Sequence, residues 1–138
     1  YLKGASNIAS YFFLMEETEM NDDIIELINR RRHQILVHSY IYYRLGDCII
    51  DDYTWSMWAK ELYDLQNEYP EEAEKVPLNN IFKDFDYSTG ADLAFDECMP
   101  WLHRRATNLL SYARNKLMQQ LENYDKLYGE TVAESLAR

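Results

Sequence analysis

Four residues near the middle of the chain could together line a small-molecule site. Tyr42 and Tyr43 come near the end of one predicted helix, and Trp55 comes one turn into the next. Electron-rich aromatic faces attract cations. The carboxylate of Asp52, between them, can accept hydrogen bonds. Aromatic stripes are more often core than ligand site, so packing is the competing interpretation.

The other reactive groups follow no pattern that carries chemistry. His33, His38 and His103 are far apart and lack the spacing of metal ligands. Asp84, Asp86 and Ser88 alternate as in part of a calcium-binding loop, but the glycine and the closing glutamate of such a loop are not at the required positions. The sequence has no glycine-rich phosphate loop and no Ser/His/Asp or Cys/His arrangement. We therefore predict no catalytic residue and no metal site.

The first of the two helices is predicted over residues 22–45. Asn21 is a suitable N-cap, and Gly46 suits a left-handed stop. The aromatic pair then lies in the last turns of this helix. His38 lies one turn before Tyr42 and could line the same pocket, although a buried, hydrogen-bonded structural histidine is the preferred interpretation.

The second helix is predicted over residues 52–69. Asp51 or Asp52 opens it, and it closes before Pro70. Apolar residues recur along it at helical spacing, so it should pack on the preceding helix as a helical hairpin. Only Trp55, one turn from the cap, is placed to face a pocket.

The middle of the first helix carries the basic cluster Arg30-Arg31-Arg32-His33. We favour a solvated face whose arginines pair with nearby acids. The alternative is a contact to a phosphate or pyrophosphate beside a nucleotide site.

The rest of the chain also favours helices, and we predict an all-α fold. Only 4 glycines and 3 prolines occur in 138 residues, which disfavours a turn-rich β fold. Residues 5–15 predict a short helix, and residues 70–91 an irregular connection whose aromatic side chains lie on the helices. A long amphipathic helix is predicted over residues 93–128, with Pro100 at its start or at a kink. It can extend past the hairpin and offer a homodimer or partner surface, and the alternative is that it simply packs along the hairpin.

The length indicates a single domain, residues 1–138. Its segments are an N-terminal helix or extension (1–19), the hairpin (20–70), a connecting loop (71–91), and the long helix with a polar tail (92–138).

The charge and the cysteines limit the partners and the compartment. A net charge of −10 disfavours direct contact with nucleic acid and suits a basic groove on another protein, although solubility alone can explain it. No apolar run approaches membrane-spanning length. Cys48 and Cys98 show neither a disulfide nor a zinc signature, so we expect a reducing compartment, the cytoplasm of a bacterial host cell.

The order of the aromatic and acidic residues over 21–70 resembles the N-terminal Ia domain of bacterial NAD-dependent DNA ligases. The residues that carry the resemblance are Tyr40-Ile41-Tyr42-Tyr43-Arg44-Leu45, Asp51-Asp52-Tyr53-Thr54-Trp55, Glu61-Leu62 and Glu68-Tyr69-Pro70. In that family this small helical module binds the nicotinamide-nucleotide half of NAD during enzyme adenylation. The resemblance implies that Tyr42 contacts nicotinamide and that Asp52 binds the ligand.

Three family positions depart from the pattern. Tyr43 stands where the family often has histidine, Trp55 where it has tyrosine, and Ser56 where it has aspartate. A flat ring is kept at the second position, but a hydroxyl and a negative charge are lost. The Lys-x-Asp-Gly motif required for adenylation is absent, since Lys83-Asp84-Phe85-Asp86 lacks the glycine. We therefore predict that the chain is not an enzyme.

The leading hypothesis is a non-catalytic accessory protein of a phage or mobile element that inhibits a host nuclease or defence factor through an acidic surface. The alternative is a module that binds NAD or nicotinamide mononucleotide weakly at Tyr42, Tyr43, Asp52 and Trp55, with no other cofactor. A helper acting in trans on a ligase adenylation domain is the third hypothesis. The residues assigned to the acidic surface are Glu68, Glu71, Glu72, Glu74, Asp84 and Asp86.

Overall fold

The structure, a computed structural model, describes the backbone of residues 2–129 and 132–137 and the side chains of residues 9, 10, 13–129, 134, 136 and 137. Over these residues it is helical and contains no strand, which confirms the predicted all-α fold. The helices are α1 (Leu2–Arg44), α2 (Asp52–Glu68), α3 (Pro70–Lys75), α4 (Asn79–Phe82), a 3₁₀ turn (Phe95–Cys98), α5 (Trp101–Tyr128) and α6 (Val132–Ala137). The chain divides into two compact units, Tyr1–Glu97 and Cys98–Arg138.

Helix α1 is one continuous helix where two had been predicted. It runs for 43 residues, and at about 1.5 Å per residue it is roughly 65 Å long. The expected start at Asn21 is therefore wrong. Residues 16–23 contain neither proline nor glycine, and asparagine or aspartate inside a helix costs only about 0.7 kcal/mol each, so capping residues alone do not break it.

The second half of α1 and the whole of α2 form the predicted hairpin. Cross-helix contacts pair Arg31 with Glu61 and Ser39 with Trp55, so the two helices run antiparallel. Their facing sides bury a run of aliphatic residues that forms the core of this unit. Those with no exposed surface are Ile28, Ile35, Leu36, Ile41, Ala59 and Leu62.

The turn between the two helices ends in a cap that fixes where α2 begins. Asp51 is the N-cap, and its Oδ1 accepts a hydrogen bond from the Thr54 backbone N–H at 2.8 Å. Asp52 is the first helical residue, which leaves its carboxylate outside the cap. Gly46 has the predicted left-handed conformation, with φ of 65°. The short turn thus sets the end of α1 beside the start of α2.

Arg32 is fully buried, contrary to the predicted solvated basic face. Its neighbours follow the expectation in part: exposed Arg30 pairs with Glu26, and partly buried Arg31 pairs with Glu61. Burial lowers the pKa of the Arg32 guanidinium from 12.5 to about 10, so the group is still charged at neutral pH. None of the described carboxylates forms an ion pair with it. Five hydrogen bonds of 2.9–3.3 Å instead reach Gln66 Oε1, the carbonyls of Ala73, Val76 and Pro77, and Asn79 Oδ1.

The segment after α2 contains two short helices where an irregular connection had been predicted. Pro70 opens α3, where its fixed φ suits the first helical position and its missing N–H leaves no bond unmade. Helix α4 follows, and then a loop runs to the 3₁₀ turn. Phe82 and Phe85 are buried, as expected for a connection that packs on the helices through its own aromatics.

The second unit contains α5 and α6. Helix α5 begins directly after Pro100 and ends at Tyr128, and its C-cap Gly129 has a left-handed φ of 63°, which glycine adopts readily. Leu102, Ala106 and Leu110 on this helix are buried, whereas the apolar residues of its last four turns are exposed. Homodimerisation through this helix remains a prediction. Among the described residues, no helix combines the length and the apolar character needed to cross a bilayer.

We expect Arg32→Met to lower the free energy of unfolding by at least about 3 kcal/mol. The substitution keeps a long apolar stem but removes the Arg32 donor from the carbonyls of Val76 and Pro77 and from the side-chain oxygens of Gln66 and Asn79. The Ala73 carbonyl keeps the hydrogen bond from the Val76 N–H. Each buried unsatisfied group costs about 1–3 kcal/mol. Urea denaturation measures this. Arg30→Met, which removes an exposed guanidinium two residues away, should change the value by no more than about 0.5 kcal/mol. Similar losses for the two variants would contradict the role given to Arg32.

Candidate functional site

A cavity of about 440 Å³ lies where the end of α1 meets the start of α2. Its size is that of a small-molecule site. Two residues of the loop before the 3₁₀ turn, Ser88 and Thr89, form a third wall. The lining consists of His38, Ser39, Tyr42, Tyr43, Cys48, Ile50, Asp51, Asp52, Trp55, Ser56, Ser88 and Thr89.

The structure brings together all four residues assigned to ligand binding. Tyr42, Tyr43, Asp52 and Trp55 all line the cavity. The two tyrosines are 58% and 47% exposed, so their rings are open to a ligand, and they meet edge to face at 4.9 Å. Trp55 is half-buried and Asp52 is exposed. The residues converge on an open pocket and not on the core, and their binding of a ligand remains a prediction.

The Trp55 ring is held from several sides. Its Nε1 donates a hydrogen bond of 3.0 Å to the Oγ of buried Ser39 on α1. Phe85 packs against it edge to face, with ring centroids 6.5 Å apart. Gly90 is so close that a Cβ added there would lie 2.8 Å from Ser39 Cβ and 3.2 Å from Trp55 Cζ2. The indole is therefore a fixed wall of the pocket.

Sequence reasoning did not identify the loop wall as part of the site. The Tyr43 hydroxyl shares a hydrogen bond of 3.2 Å with Thr89 Oγ1, which ties the loop to α1. The Asp86 carboxylate accepts hydrogen bonds from the backbone and hydroxyl of Ser88, a local turn that the Asp-x-Ser spacing could have indicated. These bonds also lower the pKa of Asp86, the hydroxyl contributing most.

Tyr87 anchors the same loop to α2. Its φ of 58° is left-handed, an uncommon conformation for a tyrosine. The ring packs on Tyr63 with centroids 4.7 Å apart, and the Lys60 ammonium lies 5.3 Å from its centre. These contacts hold Tyr87 against the outside of α2, and the two residues that follow it then face the pocket.

His38 lines the cavity, which was one of the two roles that the sequence suggested for it. It is half-buried, and its ring packs against Trp58 with centroids 5.8 Å apart. Its Nδ1 is buried without a hydrogen-bond partner among the described residues, so the preferred hydrogen-bonded interpretation is wrong for that nitrogen. Burial lowers the pKa of the imidazole, so His38 is neutral at pH 7.

The charged groups of the lining are both acidic. Hydrogen bonds from the Thr54 side chain and backbone lower the pKa of the Asp51 carboxyl, which keeps it ionised at neutral pH. Asp52 supplies the second carboxylate, and the lining contains neither lysine nor arginine. The site thus combines electron-rich rings with negative charge, an environment that favours a cation.

The acidic residues assigned to a partner surface lie outside this pocket. Glu71 and Glu74 are exposed on α3, whereas Glu72 on the same helix is half-buried. Glu68 is exposed at the end of α2, and Asp84 and Asp86 are exposed on the loop.

Comparison with known proteins finds similarity to DNA ligases. A DNA ligase of Flavobacterium johnsoniae is 26% identical over an alignment of 146 positions, which covers 83% of this chain and 22% of the ligase. DNA ligases of Thermotoga petrophila and Thermotoga maritima are each 35% identical over 57 residues, which cover 41% of this chain and 8% of the ligase. The chain therefore spans less than a quarter of the length of these curated relatives. No protein-family model and no solved structure matches it.

We expect Gly90→Ala to lower the free energy of unfolding by about 1–3 kcal/mol, because the new methyl group overpacks the contact with Ser39 and Trp55. Ala91→Val adds two carbons at the next, exposed residue and should change stability by no more than about 0.5 kcal/mol. Urea denaturation followed by tryptophan fluorescence compares the variants. A neutral Gly90→Ala would show that the loop does not pack on the indole as described.

Proposed function

We propose that this chain is a ligase-Ia-like module whose pocket binds the nicotinamide end of a nicotinamide nucleotide. One observation carries the proposal: the four residues that the resemblance assigns to the ligand line a single cavity. Similarity to DNA ligases of three organisms, found independently of the structure, supports the same origin for the module.

Each group in the pocket has a role that its chemistry suits. Tyr42 presents an open ring face on which the cationic nicotinamide ring stacks. Trp55, fixed by Ser39, forms a rigid second aromatic wall. Asp52 accepts hydrogen bonds from the ribose hydroxyls or the carboxamide. The Tyr43 hydroxyl, bound to Thr89, closes the side of the pocket next to the loop.

The affinity should be low because Ser56 replaces a carboxylate of the family. Ser56 lines the pocket and is exposed, so the substitution falls within the site. A hydrogen bond to a charged group contributes about 1.5–3 kcal/mol, and its loss lowers affinity about tenfold or more. We propose a binding module without catalysis, since the adenylation motif is absent and the related segment Lys83-Asp84-Phe85-Asp86 has buried Phe85 in its third position.

Isothermal titration with nicotinamide mononucleotide tests the proposal. We expect weak binding that Tyr42→Ala reduces about tenfold or more, because the open ring face is lost. Tyr53→Ala is the matched control, since Tyr53 is 75% exposed at the start of α2 and does not line the cavity. Binding that persists unchanged in Tyr42→Ala would refute the site.

A second candidate function is contact with a basic protein surface, such as that of a host nuclease or defence factor inhibited by a phage-encoded protein. The observation that favours it is the state of the acidic side chains. Glu71 and Glu74 are exposed and take part in no ion pair with any described residue, and neither does Asp84. Helix α3, which carries the two glutamates, is held in place by the Arg32 hydrogen bond to Ala73.

Charge reversal distinguishes the second candidate from the first. Once affinity purification has identified a partner, Glu71→Lys with Glu74→Lys should slow association about tenfold or more at low salt, since such contacts steer encounter electrostatically. Glu16→Lys with Glu17→Lys changes the net charge equally on a distant exposed stretch of α1 and should have little effect. If Tyr42→Ala were instead the variant that weakened the complex, the function would belong to the pocket.

A further inference from the structure

We infer that the pocket selects a phosphate-free pyridinium nucleoside, such as nicotinamide riboside, over the corresponding 5′-phosphate. The inference rests on the proposed function, because it concerns the same cavity. It goes beyond the proposed function because the preferred ligand is a nucleoside without a phosphate and not a nucleotide. The reason is the distribution of charge in and around the lining.

The described residues of the lining include no positively charged group that could bind a phosphate. Its ionised groups are the carboxylates of Asp51 and Asp52, and both are exposed. The twelve described residues of the lining include neither lysine nor arginine, and His38 is neutral at pH 7 because burial lowers its pKa. A phosphate monoester carries about −1.5 to −2 charges at pH 7, so bringing it into the pocket opposes like charges.

Two basic side chains on the helices that form the pocket, Arg44 and Lys60, are engaged in other contacts. Arg44, at the end of α1, pairs with Asp96 at 3.3 Å and lies 5.4 Å from the centre of the Phe95 ring. Lys60, on α2, pairs with Asp64 at 2.6 Å, and its ammonium lies over the rings of Tyr63 and Tyr87. Neither lines the cavity, so recruiting either one to a phosphate would break existing contacts.

The start of α2 could attract an anion, since backbone N–H groups and the helix dipole favour negative charge there. Carboxylates of the protein already lie at this helix end. Asp51 Oδ1 accepts the hydrogen bond from the Thr54 N–H, and Asp52 adds a carboxylate in the first turn. A phosphate would have to compete with both.

The remaining features favour the positive ring of the ligand. Tyr42 and Trp55 present aromatic faces, which attract a cation, and the two carboxylates add to that attraction. The riboside carries this charge alone, whereas the mononucleotide adds a phosphate that outweighs it. The pocket should therefore favour the molecule with net positive charge.

Isothermal titration with nicotinamide riboside and nicotinamide mononucleotide at low ionic strength tests the inference. We expect the riboside to bind more tightly than the mononucleotide by a factor of about ten or more. This difference in affinity should shrink as added salt screens the pocket carboxylates. Binding of the mononucleotide as tightly as the riboside, or more tightly, would overturn the inference and leave the proposed function intact. Binding of neither compound would overturn both.

A pair of isosteric variants assigns the selectivity to the pocket. Asp52→Asn should weaken binding of the riboside and bring the dissociation constants of the two ligands closer together. Asp23→Asn removes the same charge from an exposed position on α1, roughly 28 Å along the helix from Tyr42, and should leave the ratio unchanged. A ratio unaltered in Asp52→Asn would overturn the assignment of the selectivity to the pocket carboxylates.

Discussion

The first unit depends on one buried cation. Arg32 has no exposed surface and forms no ion pair with a described carboxylate. Its hydrogen bonds go to oxygens of α2, α3 and α4 and to two carbonyls of the segment between α3 and α4. A charge taken out of water is destabilising unless such partners replace the lost solvent. Helices α3 and α4 are too short to be stable in isolation. The Arg32 guanidinium donates hydrogen bonds to oxygens at the ends of these helices. The course of the chain toward the pocket wall follows from this arrangement.

Local patterns were enough to predict the fold class, the hairpin and the position of the pocket. A left-handed glycine and a capping aspartate fix the turn between α1 and α2, and both are readable in the sequence. Antiparallel helices joined by a short turn place the last residues of one beside the first residues of the next. Tyr42 and Trp55 were therefore predictable neighbours without knowledge of the rest of the core.

What the sequence did not show depends on contacts between distant residues. Arg32 looked like its exposed neighbour Arg30, because nothing local says which arginine meets backbone carbonyls 41 to 45 residues further on. The loop wall was missed for the same reason, since Gly90 reaches Ser39 only after α3 and α4 have turned the chain back. The false helix start at Asn21 has another cause: a residue that favours a cap is only weakly unfavourable inside a helix.

The long reach of the Arg32 contacts has a consequence for synthesis on the ribosome. The guanidinium leaves the exit tunnel well before Asn79, its most distant acceptor, 47 residues later in the chain. At about 5–20 residues per second, translation keeps the arginine in water for roughly 2–9 s longer. Helix α2 emerges within that interval, but the acceptors on α3, on α4 and between them follow it. Completion of the hairpin core is therefore tied to the arrival of a segment that lies outside the hairpin.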